Sequence, residues 1–232
     1  MLNKLEETIT AWPVNGLPAT LADRTRRMYD IVAPVYGIST WFFHSHAHRC
    51  AVEIAEFCEG MQVLEVATGS GEMFRRLVRA NREGSTVGVD LSPNMAIRTQ
   101  SRVRREFPRS MTQCHAVDAR HMPFRDGSFD AVFCCYLLEL LSGDDIVRTL
   151  REFHRVLRAG GQLILVQIGQ NTAVFNGIYR MLGKAAPAFW GRQVSERVPE
   201  LVEASDFRIE RDTRVRQKLY PSRVLLARKE IS

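Results

Sequence analysis

The sequence predicts a doubly wound α/β domain with a mostly parallel seven-stranded sheet, an antiparallel C-terminal strand pair and an N-terminal helical cap. Two observations lead to this prediction. From residue 62 onward, short apolar runs typical of strands alternate with amphipathic stretches typical of helices, the pattern of a parallel sheet covered on both faces. The last two runs are joined only by residues 213–216, which are too few for a crossover helix, so these two strands should pair antiparallel.

The composition of the 232-residue chain excludes several classes of protein. Hydrophobic residues make up 45% and charged residues 25%, which is unlike a disordered chain or a collagen. The longest apolar-rich run, Ala131 to Leu141, is far shorter than the roughly 20 residues of a membrane-spanning helix. The first ten residues hold no apolar stretch typical of a signal peptide. Five cysteines without a C-x-x-C pair favour reduced thiols in the cytoplasm over a disulfide framework or a zinc knuckle.

The N-terminal quarter of the chain reads as helical. Prolines and a glycine keep any helix within residues 1–20 short, and residues 21–58 read as two helical pieces separated by another proline and glycine. We therefore expect residues 1–58 to form a cap or lid on a core that spans residues 59–232, within one structural domain.

The first half of the core follows the alternating pattern closely. Gln62–Val66 is a short apolar run that ends in a glycine-bearing turn, and Glu72–Ala80 reads as the helix that follows it. Thr86–Asp90 is the second expected strand. Pro93–Arg105 is the next helix, because proline suits the first turn.

The second half of the core continues the pattern as far as a fifth strand. Met111–Val117 and Phe129–Cys135 read as strands three and four. Asp144–Leu157 reads as a helix that the glycine pair 160–161 stops, and Gln162–Ile168 is the fifth strand.

The remaining residues read as a helical insertion and the final strand pair. Residues 171–204 are mostly helical in pattern, with breaks at two prolines. The last strands are expected near Phe207–Asp212 and Gln217–Ala227, as a hairpin at one end of the sheet.

Polar or small residues follow each of the first four predicted strands, at the edge where such sheets bind ligands. The first strand runs through Glu65 into the small residues 67–71, which let the backbone approach a ligand closely. Asp90 ends the second strand, where a carboxylate can accept hydrogen bonds from both hydroxyls of a ribose. The sequence therefore predicts a nucleoside site at this edge.

The residues around the first turn favour a nucleoside without phosphate. A dinucleotide fold places a third glycine where this chain has Phe74, which we expect to obstruct close packing of helix and strand. Glu65 and Glu72 flank the point where a pyrophosphate would bind, and their negative charge would repel it. The same acids suit S-adenosylmethionine, which carries a sulfonium and an ammonium group.

Four motifs in order give the chain a family resemblance. They are Val63-Leu-Glu-Val-Ala-Thr-Gly-Ser-Gly71, Val87-Gly-Val-Asp-Leu-Ser-Pro-Asn-Met95, the stretch Asp118 to Asp130, and Arg155-Val-Leu-Arg-Ala-Gly-Gly161. In these the sequence resembles the class I S-adenosylmethionine-dependent methyltransferases, which have a Rossmann-like fold. Within that class it is similar to the ubiquinone/menaquinone-biosynthesis group and its type 11 relatives. Ala67 stands where the commoner form of the first motif has a glycine.

The resemblance implies a role for each residue that matches a family motif. The residues implied to hold the methionine moiety are Glu65, Ala67, Thr68, Gly69, Ser70 and Gly71, with the backbone of Cys134 and Cys135 beside the ammonium group. The residues implied to bind the nucleoside are Asp90 at the ribose, Leu91 and Met95 against the adenine, and Asp118 with Ala119 at the adenine amino group. Tyr36, in a tyrosine-bearing pattern ahead of the core, is implied to cover the cofactor.

No general base can be assigned from the sequence, although four side chains are candidates. Tyr29 precedes the core and equally suits simple lid packing. His44 shares a helix face with His48 at a spacing that can bind metal, but we predict no metal site, because surface or packing roles suit these histidines better. Tyr136 and Glu139 follow the fourth strand, and Glu139 is expected at the surface or at a helix start.

The net charge of +6 can be accounted for by arginines between residues 75 and 109. These arginines read as solvated helix faces, as a contact with an anionic membrane surface, or as a nucleic-acid surface. No aromatic residue lies among them in a base-stacking arrangement, which argues against nucleic acid.

The segments without family motifs suggest the chemistry of the methyl acceptor. Residues 1–58 and 171–200 are rich in aromatic residues, which favours a hydrophobic small molecule or lipid such as a quinol or an aromatic metabolite. The aromatics equally suit packing of the caps on the sheet. We therefore expect a cytoplasmic methyltransferase, with peripheral membrane contact left open. The alternatives are a phospholipid-headgroup N-methyltransferase and, from another class, an inactive S-adenosylmethionine-binding module or a nucleic-acid-binding protein.

Overall fold

The computed structural model describes residues 45–58, 60–169, 194–217 and 221–230. Within these residues seven strands form one sheet in the order β3-β2-β1-β4-β5-β7-β6. The strands are β1 (Gln62–Val66), β2 (Ser85–Asp90), β3 (Met111–Ala116), β4 (Phe129–Cys135), β5 (Leu157–Ile168), β6 (Phe207–Val215) and β7 (Ser222–Lys229). Strands β1 to β5 run parallel, and β7 pairs antiparallel with both β5 and β6. The predicted mostly parallel sheet with an antiparallel C-terminal pair is confirmed.

Helices cover both faces of this sheet. They are α1 (residues 45–54), α2 (Glu72–Ala80), α3 (Pro93–Glu106), α4 (Gly143–Val156) and α5 (Val198–Glu203), with a 3₁₀ turn at Leu138–Leu140. Apolar residues of α1 and α2 pack on one face with Phe133 and Ile164. Those of α4 and α5 pack on the other face with Val132 and Leu163, the alternate positions of the same strands.

Serine side chains fix the start of two helices near the carboxyl edge of the sheet. Ser92 Oγ accepts a hydrogen bond from the Met95 backbone N–H at 3.2 Å, and Pro93 occupies the first turn of α3, as expected. Ser142 Oγ accepts from the Asp145 N–H at 3.1 Å at the start of α4. These caps set where α3 and α4 leave the strand ends that form the site.

Several predicted boundaries in the second half of the core are wrong. Helix α4 ends at Val156, and β5 begins at once with Leu157, which pairs with Phe129 before the register shifts. Strand β6 continues to Val215 through the expected link, because its residues pair with β7 along that length. Strand β7 begins at Ser222 and not at Gln217.

Much of the predicted cap and insertion lies outside the described residues, and so do Tyr29, Tyr36 and His44. The described part of the cap includes α1, whose Ala47 and Ala51 are fully buried against the sheet. The division at residue 58 stays a prediction. None of the helices in the described ranges is long and apolar enough to cross a bilayer.

Candidate active site

The turn after β1 is held in a tight left-handed path. Ala67, Gly69 and Gly71 all have positive φ angles, of 65°, 49° and 76°. The Ala67 N–H donates to the Val89 carbonyl at 2.8 Å, which ties the turn to β2. Because the left-handed region costs a residue with a Cβ about 1–2 kcal/mol, Ala67 keeps this conformation against its own preference.

The close packing of α2 on the sheet depends on a glycine in the strand. We expected Phe74 to obstruct this packing, and that expectation is wrong, because Phe74 is fully buried. A Cβ added to Gly88 of β2 would lie 2.9 Å from Phe74 Cε2 and 2.7 Å from Thr68 Cγ2. Gly88 therefore makes the room that a third glycine makes in a dinucleotide-binding turn.

Asp90 joins the end of β2 to the turn after β1. Its Oδ2 accepts a hydrogen bond from the Gly69 N–H at 2.7 Å, and its Oδ1 accepts from the Ser92 N–H at 2.9 Å. Met95 is buried beside this end of the strand, while Leu91 is half-buried. The carboxylate predicted to bind the ribose is thus fixed beside the turn predicted to hold the methionine moiety.

Glu65 is a buried acid whose carboxylate a nearby positive charge would stabilise. Its side chain is 1% exposed, and its Oε2 has no hydrogen-bond partner in the part of the chain that the structure describes. Burial raises the pKa of Glu65 well above its usual value, and the nearby charge of Asp90 raises it further. A sulfonium or ammonium group beside it would stabilise the carboxylate, so this site fits S-adenosylmethionine.

Glu72 does not contribute to that negative field, contrary to the sequence argument. Its carboxylate forms ion pairs with Arg75 at 3.0 Å, Arg76 at 3.3 Å and Arg102 at 3.5 Å. These three guanidinium groups neutralise the charge at the start of α2. The case against a phosphate-bearing cofactor therefore rests on Glu65 and Asp90.

Asp118 is held by an arginine that the sequence analysis did not single out. Arg120 Nη2 donates to Asp118 Oδ2 at 2.7 Å, Arg120 Nε reaches both oxygens, and Arg120 Nη1 contacts Asp145 at 3.2 Å. Burial alone would raise the pKa of Asp118, but the hydrogen bonds from Arg120 hold it below its usual value. The predicted role of Asp118 and its half-buried neighbour Ala119 at the adenine stays a prediction, and Asp118 would have to share its carboxylate with Arg120.

The end of β4 offers no activated nucleophile. Cys134 is buried and Cys135 is half-buried. Burial raises the pKa of both thiols well above the usual value, so they stay protonated and unreactive. Their predicted role through backbone atoms beside the methionine ammonium is unaffected by this chemistry.

Tyr136 turns the chain out of β4. Its φ angle is 56°, which is uncommon for a bulky residue. Its hydroxyl lies 2.8 Å from Ser222 Oγ and 3.4 Å from Gln217 Nε2, and its ring centroid is 6.0 Å from that of His48. Burial raises the pKa of Tyr136, so the phenol is neutral. Tyr136 thus forms the turn that ends β4, and its hydroxyl is hydrogen-bonded.

Glu139 is buried in the 3₁₀ turn after β4, so its expected place at the surface is wrong. Its side chain is 2% exposed, and its Oε1 accepts a hydrogen bond from the Ile168 N–H at 2.6 Å. Its Oε2 has no hydrogen-bond partner among the described residues. Burial raises the pKa of Glu139 to about 7.

Gln167 at the end of β5 is a buried polar residue that the sequence analysis missed. Both polar atoms of its amide lack a hydrogen-bond partner within the described ranges. The available signal was a glutamine directly after the apolar residues 163–166 of β5, because a buried polar group normally has a partner.

The basic surface divides into paired and unpaired arginines. Besides the arginines at Glu72, Arg79 joins Arg75 in contacting Glu106. On α3, the outward Arg98 and Arg105 form no ion pair with any described residue. Three arginines of the cluster, at positions 75, 79 and 102, therefore form ion pairs that join α2 to α3.

Comparisons with known proteins agree with this geometry. Residues 63–161 match a family model described as a methyltransferase domain. A 2-phytyl-1,4-naphtoquinone methyltransferase of Nostoc punctiforme is 28% identical over 151 residues, which are 63% of this chain and 65% of that protein. A ubiquinone/menaquinone biosynthesis C-methyltransferase of Geotalea uraniireducens is 26% identical over 163 residues, 68% of each chain. The match thus spans just under two thirds of the length of the Nostoc punctiforme protein.

Solved structures share the fold at low sequence identity. The [4+2]-cyclase SpnF superposes with a TM-score of 0.75 at 18% identity, covering 94% of this chain and 100% of that one. A geranyl diphosphate methyltransferase, solved with sinefungin, has a TM-score of 0.72 at 11% identity and covers 91% of this chain and 100% of that one. Residues 63–161 thus match a methyltransferase domain and the solved structures share its fold, which confirms the predicted resemblance to methyltransferases.

Proposed function

We propose that the chain is an S-adenosylmethionine-dependent methyltransferase whose acceptor is a hydrophobic aromatic molecule of the quinol type. The observation that carries the cofactor assignment is Glu65, a fully buried carboxylate with an orphaned oxygen next to the turn after β1. The acceptor class is supported by the relatives, whose names describe methylation of naphthoquinones and of ubiquinone or menaquinone precursors.

In this proposal each residue at the strand ends has a separate task. Bound S-adenosylmethionine would supply an electrophilic methyl group on a good leaving group. Glu65 would balance the positive charge of the bound molecule, and Asp90 would fix the ribose while its hydrogen bond to the Gly69 N–H keeps the turn in place. Because the leaving group is good, the protein mainly aligns the acceptor at roughly 3–3.5 Å and excludes water.

Methyl transfer to candidate acceptors tests the proposal. The chain should transfer labelled methyl from S-adenosylmethionine to a prenylated 1,4-dihydroxynaphthalene kept reduced. Asp90→Ala should weaken binding of S-adenosylmethionine by calorimetry, whereas Asp126→Ala, an exposed residue before β4 at the opposite edge of the sheet, should not. Binding of S-adenosylmethionine without transfer to any quinol, phospholipid or metabolite extract would favour an inactive binding module, which the shared fold with a cyclase allows.

A phospholipid headgroup is the second candidate acceptor, and one surface feature favours it. Helix α3 exposes Ile97, at 64%, beside arginines 98 and 105, which have no ion pair with described residues. An apolar side chain among free cations suits an anionic bilayer surface. Labelled methyl recovered in phosphatidylethanolamine of mixed anionic vesicles, and not in the quinol, would select this candidate.

A further inference from the structure

The chain leaves β4 in a way that places one carboxylate at a fixed point. The Tyr136 N–H donates to the Val166 carbonyl of β5 at 2.8 Å, as in a regular parallel ladder. The next N–H on that edge of β5 belongs to Ile168, and the ladder would give it the carbonyl of residue 136. Instead Tyr136 turns away with φ 56°, and Glu139 Oε1 accepts from the Ile168 N–H at 2.6 Å. The carboxylate of Glu139 thus occupies the place of the missing carbonyl.

This arrangement lowers the stability of the fold, so a contribution to stability does not explain why the chain has it. A left-handed non-glycine residue costs about 1–3 kcal/mol, and a buried carboxylate without a partner costs more unless it is protonated. Among the described residues Glu139 has no ion pair, and its Oε2 accepts no hydrogen bond. Such combinations of strain and burial cluster at active sites.

Glu139 lies at the edge of the sheet where the proposed acceptor would bind. It follows β4 and contacts the end of β5, at the carboxyl edge where doubly wound sheets bind ligands. The amide of Gln167, also buried and unpartnered in the described ranges, lies one residue from the Ile168 N–H. Two orphaned polar groups at one strand end indicate a polar ligand there.

We propose that Glu139 is the general base of this site and takes the proton that the acceptor releases during methyl transfer. The inference rests on the proposed function. The bond between sulfur and methyl carbon breaks, and its electron pair stays on sulfur. An electron pair of the acceptor ring or oxygen forms the new bond to the methyl carbon. The hydrogen displaced from that ring carbon or oxygen leaves as a proton to Glu139 Oε2, and water then removes it.

The protonation properties of Glu139 suit this task. A base whose pKa lies near the working pH can both accept and release a proton, and that pKa is about 7 for Glu139. The titratable neighbours are the Cys134 and Cys135 thiols and the Tyr136 phenol, whose pKa values burial raises. His48 packs against Tyr136 from α1, so it is an ionisable side chain that this helix brings to the cluster.

The Glu139→Gln variant tests the proposal, because an amide oxygen can still accept from the Ile168 N–H. We expect kcat for a prenylated 1,4-dihydroxynaphthalene to fall by roughly 10²–10⁴-fold, with loss of the neutral limb of its pH profile. Affinity for S-adenosylmethionine should stay within about twofold. Glu152→Gln is the matched control, since Glu152 also accepts a backbone N–H, from Met122 at 2.7 Å, and it should keep the profile. The pH profile of the His48→Gln variant should keep its neutral limb, even if the kcat of the variant changes.

A readout independent of turnover separates failure of the base from failure of the enzyme assignment. The infrared carboxyl band that Glu139→Gln removes should titrate near neutral pH and shift when 1,4-dihydroxynaphthalene binds with S-adenosylhomocysteine. If the Glu139→Gln variant keeps the wild-type kcat, or if the carboxyl band does not shift when 1,4-dihydroxynaphthalene binds, the inference is overturned. The methyltransferase assignment then remains intact. A wild-type chain that transfers no methyl group to any acceptor overturns the proposed function and, with it, the role of Glu139 as a base.

Discussion

Replacing Glu139 by glutamine should stabilise the fold in a way that depends on pH. Glu139 has a pKa of about 7 in the folded chain against an ordinary value of 4.5. Because the folded pKa is raised, the folded state holds the proton more tightly, so the wild-type chain loses stability as the pH rises from about 4.5 to about 7. At 1.36 kcal/mol for each pKa unit, the loss is about 3 kcal/mol above that range. Glutamine avoids it, since an amide does not ionise.

Urea unfolding at a series of pH values measures this difference. The variant should exceed the wild type by about 3 kcal/mol near pH 8, and the difference should shrink toward zero near pH 4. The Glu152→Gln variant should show no such gain, because the wild-type carboxylate of Glu152 is stabilised by its ion pair with Arg155. Equal stability of Glu139→Gln and wild type near pH 8, or a difference that is constant with pH, would refute the assignment of a costly buried carboxylate.

Three further substitutions check the geometry of the cofactor turn. Gly88→Ala should lower the free energy of unfolding by about 1–3 kcal/mol, because the new Cβ would lie 2.7 Å from a Thr68 carbon. Gly143→Ala is the control and should cost nothing, because a Cβ at Gly143 would meet no atom within 4 Å. Equal costs of the two substitutions would contradict the packing argument. Ala67→Gly should stabilise the chain by up to about 1 kcal/mol in thermal unfolding, because it relieves a φ of 65°; a loss would show that the alanine methyl contributes more than the strain. Binding of S-adenosylmethionine should release a proton, seen by calorimetry in buffers of different ionisation enthalpy, because the cation favours ionised Glu65; Glu65→Gln should abolish that release, and an undiminished release would assign it elsewhere.

The periodicity of the sequence predicts the elements that are built from local contacts. The bounds of β1, β4 and α2 coincide with the predicted Gln62–Val66, Phe129–Cys135 and Glu72–Ala80. Their apolar runs are long enough to show a period, and each ends at a residue that stops it. The bounds of β6 and β7 were missed because pairing across the hairpin continues β6 to Val215 and β7 to Lys229, whereas β7 begins only at Ser222.

Packing and charge at the site depend on pairs that are distant in sequence. Gly88 accommodates Phe74 across the sheet–helix boundary, and no local pattern indicates that contact. Glu139 lies in a leucine-rich run that reads as a helix start, whereas its burial depends on the Ile168 N–H, which lies on another strand. The hydrogen bonds of Arg120 to Asp118 span only two residues, so the sequence could have suggested that pair.

The acids at the carboxyl edge divide according to what neutralises them. Glu72 and Asp118 are each paired with arginines, whereas Glu65 and Glu139 have no cation within 4 Å in the part of the chain that is described. These two acids belong to β1 and to the turn after β4, and β1 and β4 are neighbours in the sheet. A third acid at this edge, Asp90, is held instead by hydrogen bonds from the Gly69 and Ser92 N–H groups. Methyl transfer to a neutral acceptor consumes a cation and releases a proton, so positive charge passes from the cofactor to the departing hydrogen. In the proposed reaction one unpaired carboxylate would lie where the cation binds and a second where the proton leaves, whereas an S-adenosylmethionine-binding module without catalysis would need only the first.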